Sequence, residues 1–282
     1  MKRFAVAAVV VLAFVAGLVA TFPSERLVAA VLARLPPRAA AAVEHVGSAR
    51  LGPGWLTLTD VKLRVRADAP PVAVREVRMR PSLRGLLLGR RGRPWHVTAA
   101  ACGGGTTADL DRDRDGDRYR LRFERLDLAA CLPPLALEAA TGVASGDAEL
   151  AVRNGVTTGL GTLALENTRW LPAGFPAHMA FVAEQATLRW TLADRTIVVD
   201  EAAMSNPAMT ATGSGSMRLP ESPADAAAAP LLDLQVRVAP TAAMPQGHRD
   251  LLRKLPGGPP DASGTRTFRI RGPLDAPMLG PP

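Results

Sequence analysis

Leu56 to Leu63 reads LTLTDVKL, with apolar residues at the first, third, sixth and eighth places and a polar pair at the centre. The same eight-residue pattern returns as VAVREVRM (Val72 to Met79), LRFERLDL (Leu121 to Leu128), LALENTRW (Leu163 to Trp170), FVAEQATL (Phe181 to Leu188) and IVVDEAAM (Ile197 to Met204). Each central pair holds at least one acid, and Thr168 is the one apolar place filled otherwise. In a chain that is 48% apolar, about one such acidic-centred match arises by chance, so this many copies mark a repeat.

The spacing excludes a helix. Offsets of zero, two, five and seven scatter around a helical cylinder and leave no single buried stripe. On a strand, the first apolar pair faces one side and the second pair the other, because one extra residue inverts the alternation. A β-bulge at the polar pair returns both apolar pairs to one side. The competing explanation is a two-residue hairpin at the centre, against which stands the lack of glycine in Thr-Asp, Arg-Glu, Glu-Arg and Asp-Glu. The pattern therefore predicts half-buried, bulged strands.

Between the octads the strand signals continue. Trp95 to Ala101 reads as a strand and Cys102 to Gly105 as a loop. Gly146 to Val152 alternates towards a turn at Asn154-Gly155, a strong hairpin signal. Met209 to Leu219, the alternating Leu232 to Val238, and a last strand starting at Phe268 follow. Ser24 to Leu35, Pro81 to Arg91 and a stretch within Thr241 to Leu255 read as short helices, and Pro220 to Pro230 and Pro256 to Ser263 as loops.

Ahead of all this stands Met1-Lys2-Arg3 and an uncharged apolar run from Phe4 to Phe22. As a helix it extends about 28 Å, close to the hydrocarbon thickness of a bilayer. Leu18-Val19-Ala20 is a poor cleavage site, which favours an uncleaved anchor over a removed signal peptide. The short basic N-terminus favours a cytoplasmic start and an exported body. Three parts result: a transmembrane anchor over 1–22, a connecting amphipathic helix over 23–42 and a β domain over 43–282.

Composition narrows the function. The formal net charge is +8, yet lysine occurs only at Lys2, Lys62 and Lys254, and the arginines are interleaved with acids. No basic recognition helix or aromatic-basic groove accompanies that charge, so nucleic acid is not an expected partner. No nucleotide-binding glycine loop, nucleophile elbow or paired-histidine metal motif occurs, and His45, His96, His178 and His248 are scattered. The acids recur with the octads along the whole chain, whereas catalytic groups converge on one place. No enzyme, cofactor or metal is expected. Asp111, Asp113, Asp115, Gly116 and Asp117 imitate the opening of a calcium loop, but Arg122 stands where the closing glutamate belongs and strand-like segments flank it. A hairpin tip at Asp115-Gly116 is the expectation.

Cys102 and Cys131 are the only cysteines, one on either side of that hairpin. In an exported body they would meet an oxidising compartment, and a disulfide is expected; two buried thiols are the alternative.

Taken in order, the chain resembles the type II secretion system protein N family, bacterial inner-membrane proteins related to the AsmA-like periplasmic proteins. The resemblance is carried by the single span, then Pro23-x-x-x-Leu27, then Gly54 to Leu63 (GWLTLTDVKL) and Val77 to Leu83 (VRMRPSL) running into Leu86-Leu87-Leu88-Gly89. The ending Phe268 to Pro277 (FRIRGPLDAP) is similar to the close of an AsmA-like repeat. The resemblance implies a mainly β fold: a long, strongly curved antiparallel sheet shaped as a groove, with a few short helices, behind one N-terminal transmembrane helix. It also implies an inner-membrane protein with a periplasmic body, partnered by other secretion components and free of catalytic residues. The wider AsmA-like group implies an alternative, an apolar groove that binds or bridges lipid.

Overall fold

The computed structural model describes residues 43–52, 55–64, 71–81, 95–112, 116–131, 140–170, 181–219, 230–273 and 277–282. The expected anchor, the connecting helix, the helix over 82–91 and the loop over 220–229 lie outside these residues. Among the described residues no helix is long and apolar enough to cross a membrane.

Three quarters of the described residues are strand. Fourteen strands form one antiparallel sheet in strictly sequential order, and the sheet does not close. They are β1 (Val43–Gly52), β2 (Trp55–Leu63), β3 (Val72–Pro81), β4 (Trp95–Ala101), β5 (Gly104–Arg112), β6 (Asp117–Asp127), β7 (Ala140–Arg153) and β8 (Val156–Trp170), followed by β9 (Phe181–Ala193), β10 (Thr196–Ser205), β11 (Met209–Arg218), β12 (Leu231–Pro240), β13 (Arg266–Pro273) and β14 (Met278–Gly280). Two helices interrupt them, α1 (Leu128–Cys131) and α2 (Gln246–Lys254). Sequential antiparallel order needs only short reversals, and the hairpin turns are tight. Asn154-Gly155 joins β7 to β8 with φ of 51° and 80°, as its sequence predicts. Cys102-Gly103 joins β4 to β5 the same way, with φ of 49° and 73°. The expected loop over Cys102 to Gly105 is thus only two residues long, and Gly104 and Gly105 belong to β5. Pro81 closes β3 instead of opening a helix, and β14 had no sequence signal.

Five octads lie inside one strand and the β6 octad runs one residue beyond it, with Leu128 opening α1, so none of the polar pairs is a hairpin turn. The bulge expectation holds for four of them: the pairing register shifts across the centre of the octads in β3, β6, β8 and β10. In β2 the distortion takes another form. Asp60, the fifth octad residue, is left-handed with φ of 51°, while Thr59 and Val61 keep one register with β3. The β9 octad corrects the expectation, since Ala183 to Leu188 keep one register with β8 and Gln185 to Leu188 one register with β10.

The fifth place is also left-handed at Arg125 and Asn167, with φ of 54° and 49°. Asn and Asp tolerate that conformation and arginine does not. Arg125 is held there by its own backbone N–H, which donates to Ser145 Oγ at 3.0 Å. Replacing Arg125 with glycine is expected to raise the unfolding free energy by up to about 1 kcal/mol, because removing the Cβ strain outweighs the added freedom of the unfolded chain. Urea titration of the two proteins checks the sign.

Packing is thin. The tightest cluster is Ala49, Leu56, Leu58, Val61 and Val74 on β1 to β3, with Val46, Val77, Met79 and Ala99 against it. Among the described residues no side chain is completely buried. Near the other edge, Arg266 is 8% exposed and stacks on Phe268 at 5.4 Å. Its guanidinium donates to the carbonyls of Gly258 at 3.0 Å, Gly257 at 3.3 Å and Leu252 in α2. A cation on the last turn of a helix also meets the negative end of its dipole. Arg249 donates to Met244, Thr241 and Ala242 at 3.1, 3.0 and 2.9 Å, so two arginines tie α2 and its loops together.

Candidate functional site

The octads lay out one apolar face. In β2, Leu56, Leu58 and Val61 are buried while Asp60 and Lys62 are exposed; in β3, Val72, Val74, Val77 and Met79 are covered and Ala73, Arg75, Arg78 and Arg80 are not. Cross-strand partners on this face are apolar too, such as Val61 opposite Val74, Leu163 opposite Leu188 and Val236 opposite Phe268. The distortions at the octad centres of β2, β3, β6, β8 and β10 make this possible there, because without them half of each of those octads would turn to the polar side.

No second layer of described residues lies over that face, and the side chains respond by lying flat. A Cβ built on Gly161 would stand 2.5 Å from the Trp190 ring, one on Gly146 would stand 2.8 Å from Phe123, and one on Gly159 would stand 2.5 Å from Leu150. Large side chains thus rest on strand glycines, recovering contact that a facing wall would otherwise supply. The cover remains partial, with Trp95, Leu121 and Trp170 keeping 37%, 36% and 44% of their surface in solvent. An apolar face of this extent, half-open along its length, is the feature of the molecule that asks for a partner.

The polar face is a lattice of ion pairs. Arg120 meets Glu149 across strands at 3.2 Å, Arg189 reaches Glu201 across strands at 3.8 Å, and Arg122 meets Glu124 along β6 at 3.0 Å, all exposed. Such pairs contribute little each, and chiefly fix register. His96 adds one that the sequence reading missed, since its Nδ1 lies 2.6 Å from Asp109 on the next strand. Thirteen residues separate them, so only the β4–β5 pairing brings them together.

Asp233 on β12 has the strongest electrostatic setting. Arg269 donates to it from Nε and Nη2, both at 2.8 Å, and Arg271 adds a contact at 3.4 Å. Hydrogen bonding from Arg269 first, then its charge and that of Arg271, lowers the carboxyl to about 2, and the same pairing raises Arg269. A carboxyl whose folded value lies below its unfolded one stabilises the fold above the unfolded value and ceases to do so as pH falls through the folded value. Melting temperature is expected to drop between about pH 4 and pH 2, and Asp233→Asn is expected to flatten part of that drop. Asp261, lowered by hydrogen bonds from Ser263 and Thr265, closes the loop ahead of β13.

Cys102 and Cys131 form a disulfide, with Cα atoms 5.4 Å apart. It ties the β4–β5 turn to α1, where the Asp127 N–H also donates to the Cys102 carbonyl at 2.9 Å. The acidic segment between the cysteines is the reversal from β5 to β6, with Asp111 opposite Arg118 and Arg112 opposite Asp117; residues 113–115 lie outside the described ones. The acids of the octad centres sit on separate strands, and among the described residues no three metal-ligating side chains converge.

Comparison with protein-family models, curated proteins and solved structures finds no match to this chain.

Proposed function

We propose that this protein is a membrane-anchored, non-enzymatic component of a bacterial type II protein secretion system, with its sheet in the periplasm as a scaffold and interaction surface. The observation that carries this reading is the single apolar face, repeated strand after strand without a covering layer of described residues, on a chain whose ordered segments resemble the protein N family. A surface of that kind suits association, since hydrophobic area is recognised without any converging polar group. In this reading the sheet curls about its apolar side into a groove, and residues 4–22 hold it to the inner membrane.

A second reading rests on the same face. Acyl chains are long, flexible and apolar, and would cover a row of half-exposed Leu, Val and Trp side chains as well as a protein partner would. Full-length protein purified in mild detergent separates the two. Crosslinking to secretion components without bound phospholipid supports the first, and stoichiometric phospholipid in mass spectrometry supports the second. A periplasmic reporter fused after Pro282 that stays inactive would overturn both.

A further inference from the structure

On the polar face, at the edge formed by β1 to β3, one side chain is buried without a purpose that the fold itself supplies. Thr57 is 7% exposed, and its hydroxyl oxygen has no hydrogen-bond partner. A buried hydroxyl left unpaired is unfavourable, and such groups commonly mark a water or ion position. Its two cross-strand neighbours are both arginines, Arg50 on β1 and Arg78 on β3. Arg80 stands two places beyond Arg78 on the same face, and Arg50, Arg78 and Arg80 are all exposed. Arg78 is paired with Glu76 and stacks on the Trp55 ring at 5.6 Å, while Arg50 and Arg80 meet no carboxylate among the described residues. Strand neighbours lie about 4.8 Å apart and same-face residues about 7 Å apart along a strand, so the backbone positions of the three arginines border the threonine within reach of their side chains.

We propose that this cluster is an oxyanion site that takes a phosphate group. Three guanidinium groups offer the planar paired donors that match phosphate oxygens, the covered Thr57 hydroxyl would add a short neutral donor once the side chains over it part, and Trp55 lies 5.6 Å from the Arg78 guanidinium. Glu76 is the nearby acid, and it is already engaged by Arg78. A free phosphate ion and the phosphate of an anionic lipid headgroup present the same oxygens, and the site recognises that shared group. This goes beyond the proposed function and does not depend on it, because the residues lie on the polar face.

The test uses the full chain in a neutral detergent, titrated with inorganic phosphate in one series and short-chain phosphatidylglycerol in another. Thermal stability and tryptophan fluorescence are the readouts. Saturable stabilisation by phosphate in both forms is expected. In Arg50→Gln/Arg80→Gln, which removes two exposed groups that have no ion pair among the described residues, affinity is expected to fall at least tenfold. Thr57→Val is expected to melt higher than the parent without ligand, yet to bind more weakly. A response to phosphatidylglycerol alone assigns the site to lipid headgroups, and a response to both assigns it to phosphate in general. No saturable response in either series, or equal responses in parent and double variant, overturns the site.

Discussion

Replacing Cys102 and Cys131 together with alanine is expected to lower the unfolding free energy by about 3 to 4 kcal/mol, the contribution of a crosslink closing a loop of this size. The bridged residues are 29 apart, and the loop contains the β5–β6 hairpin. The effect should be large here because side-chain burial adds little to the strand pairing of that hairpin: β5 and β6 have half-exposed or exposed side chains, and α1 is four residues long with none buried. Urea unfolding of the double variant against the oxidised parent measures it. A difference below about 1 kcal/mol would mean that the reduced chain already holds the two turns together.

Gly142→Ala is expected to cost about 3 kcal/mol or more, from two sources that act together. Gly142 has φ of 121°, a conformation that side chains rarely adopt, and a Cβ there would sit 2.8 Å from Thr168 Cα and 2.9 Å from the Asn167 carbonyl. Both neighbours are backbone atoms and cannot swing aside. They belong to the bulge of the β8 octad, so the substitution presses on the device that keeps Thr168 and Trp170 on the same face as Leu163 and Leu165. Gly155→Ala provides the contrast. Its φ is 80° and nothing lies within 4 Å of the added carbon, so only the backbone term remains, about 1 kcal/mol. Equal losses for the two variants would show that the crowding at β8 relaxes freely.

These expectations rest on an inversion of the usual β architecture. In a sandwich, large inward side chains interdigitate with a facing sheet. Here Trp190, Phe123 and Leu150 pack against the glycines of neighbouring strands. The apolar face can therefore be continuous and still remain half-open, which is the property on which both functional readings depend. Its opposite face, where Thr57 lies between two arginines, is chemically separate, so loss of phosphate binding need not disturb whatever covers the apolar side.

The sequence by itself determined the class of structure, the one-sidedness of its strands and the bulges of four of the six octads. Alternation of two broken by a polar pair is a local property, written in each octad. Asn154-Gly155 and the cysteine pair were readable for a related reason, being marked by residue types with narrow conformational or chemical roles. What only the tertiary structure decided is what depends on pairing between strands. Examples are the glycine that receives each large side chain, the meeting of His96 with Asp109, and the hold of two arginines on Asp233. The Asp194-Arg195 turn, without glycine, was equally hidden, since Asp194 is driven to φ of 56° by the strands it joins. Residues far apart in the chain become neighbours only through register, and register minimises the energy of the sheet as a whole, which no single segment encodes.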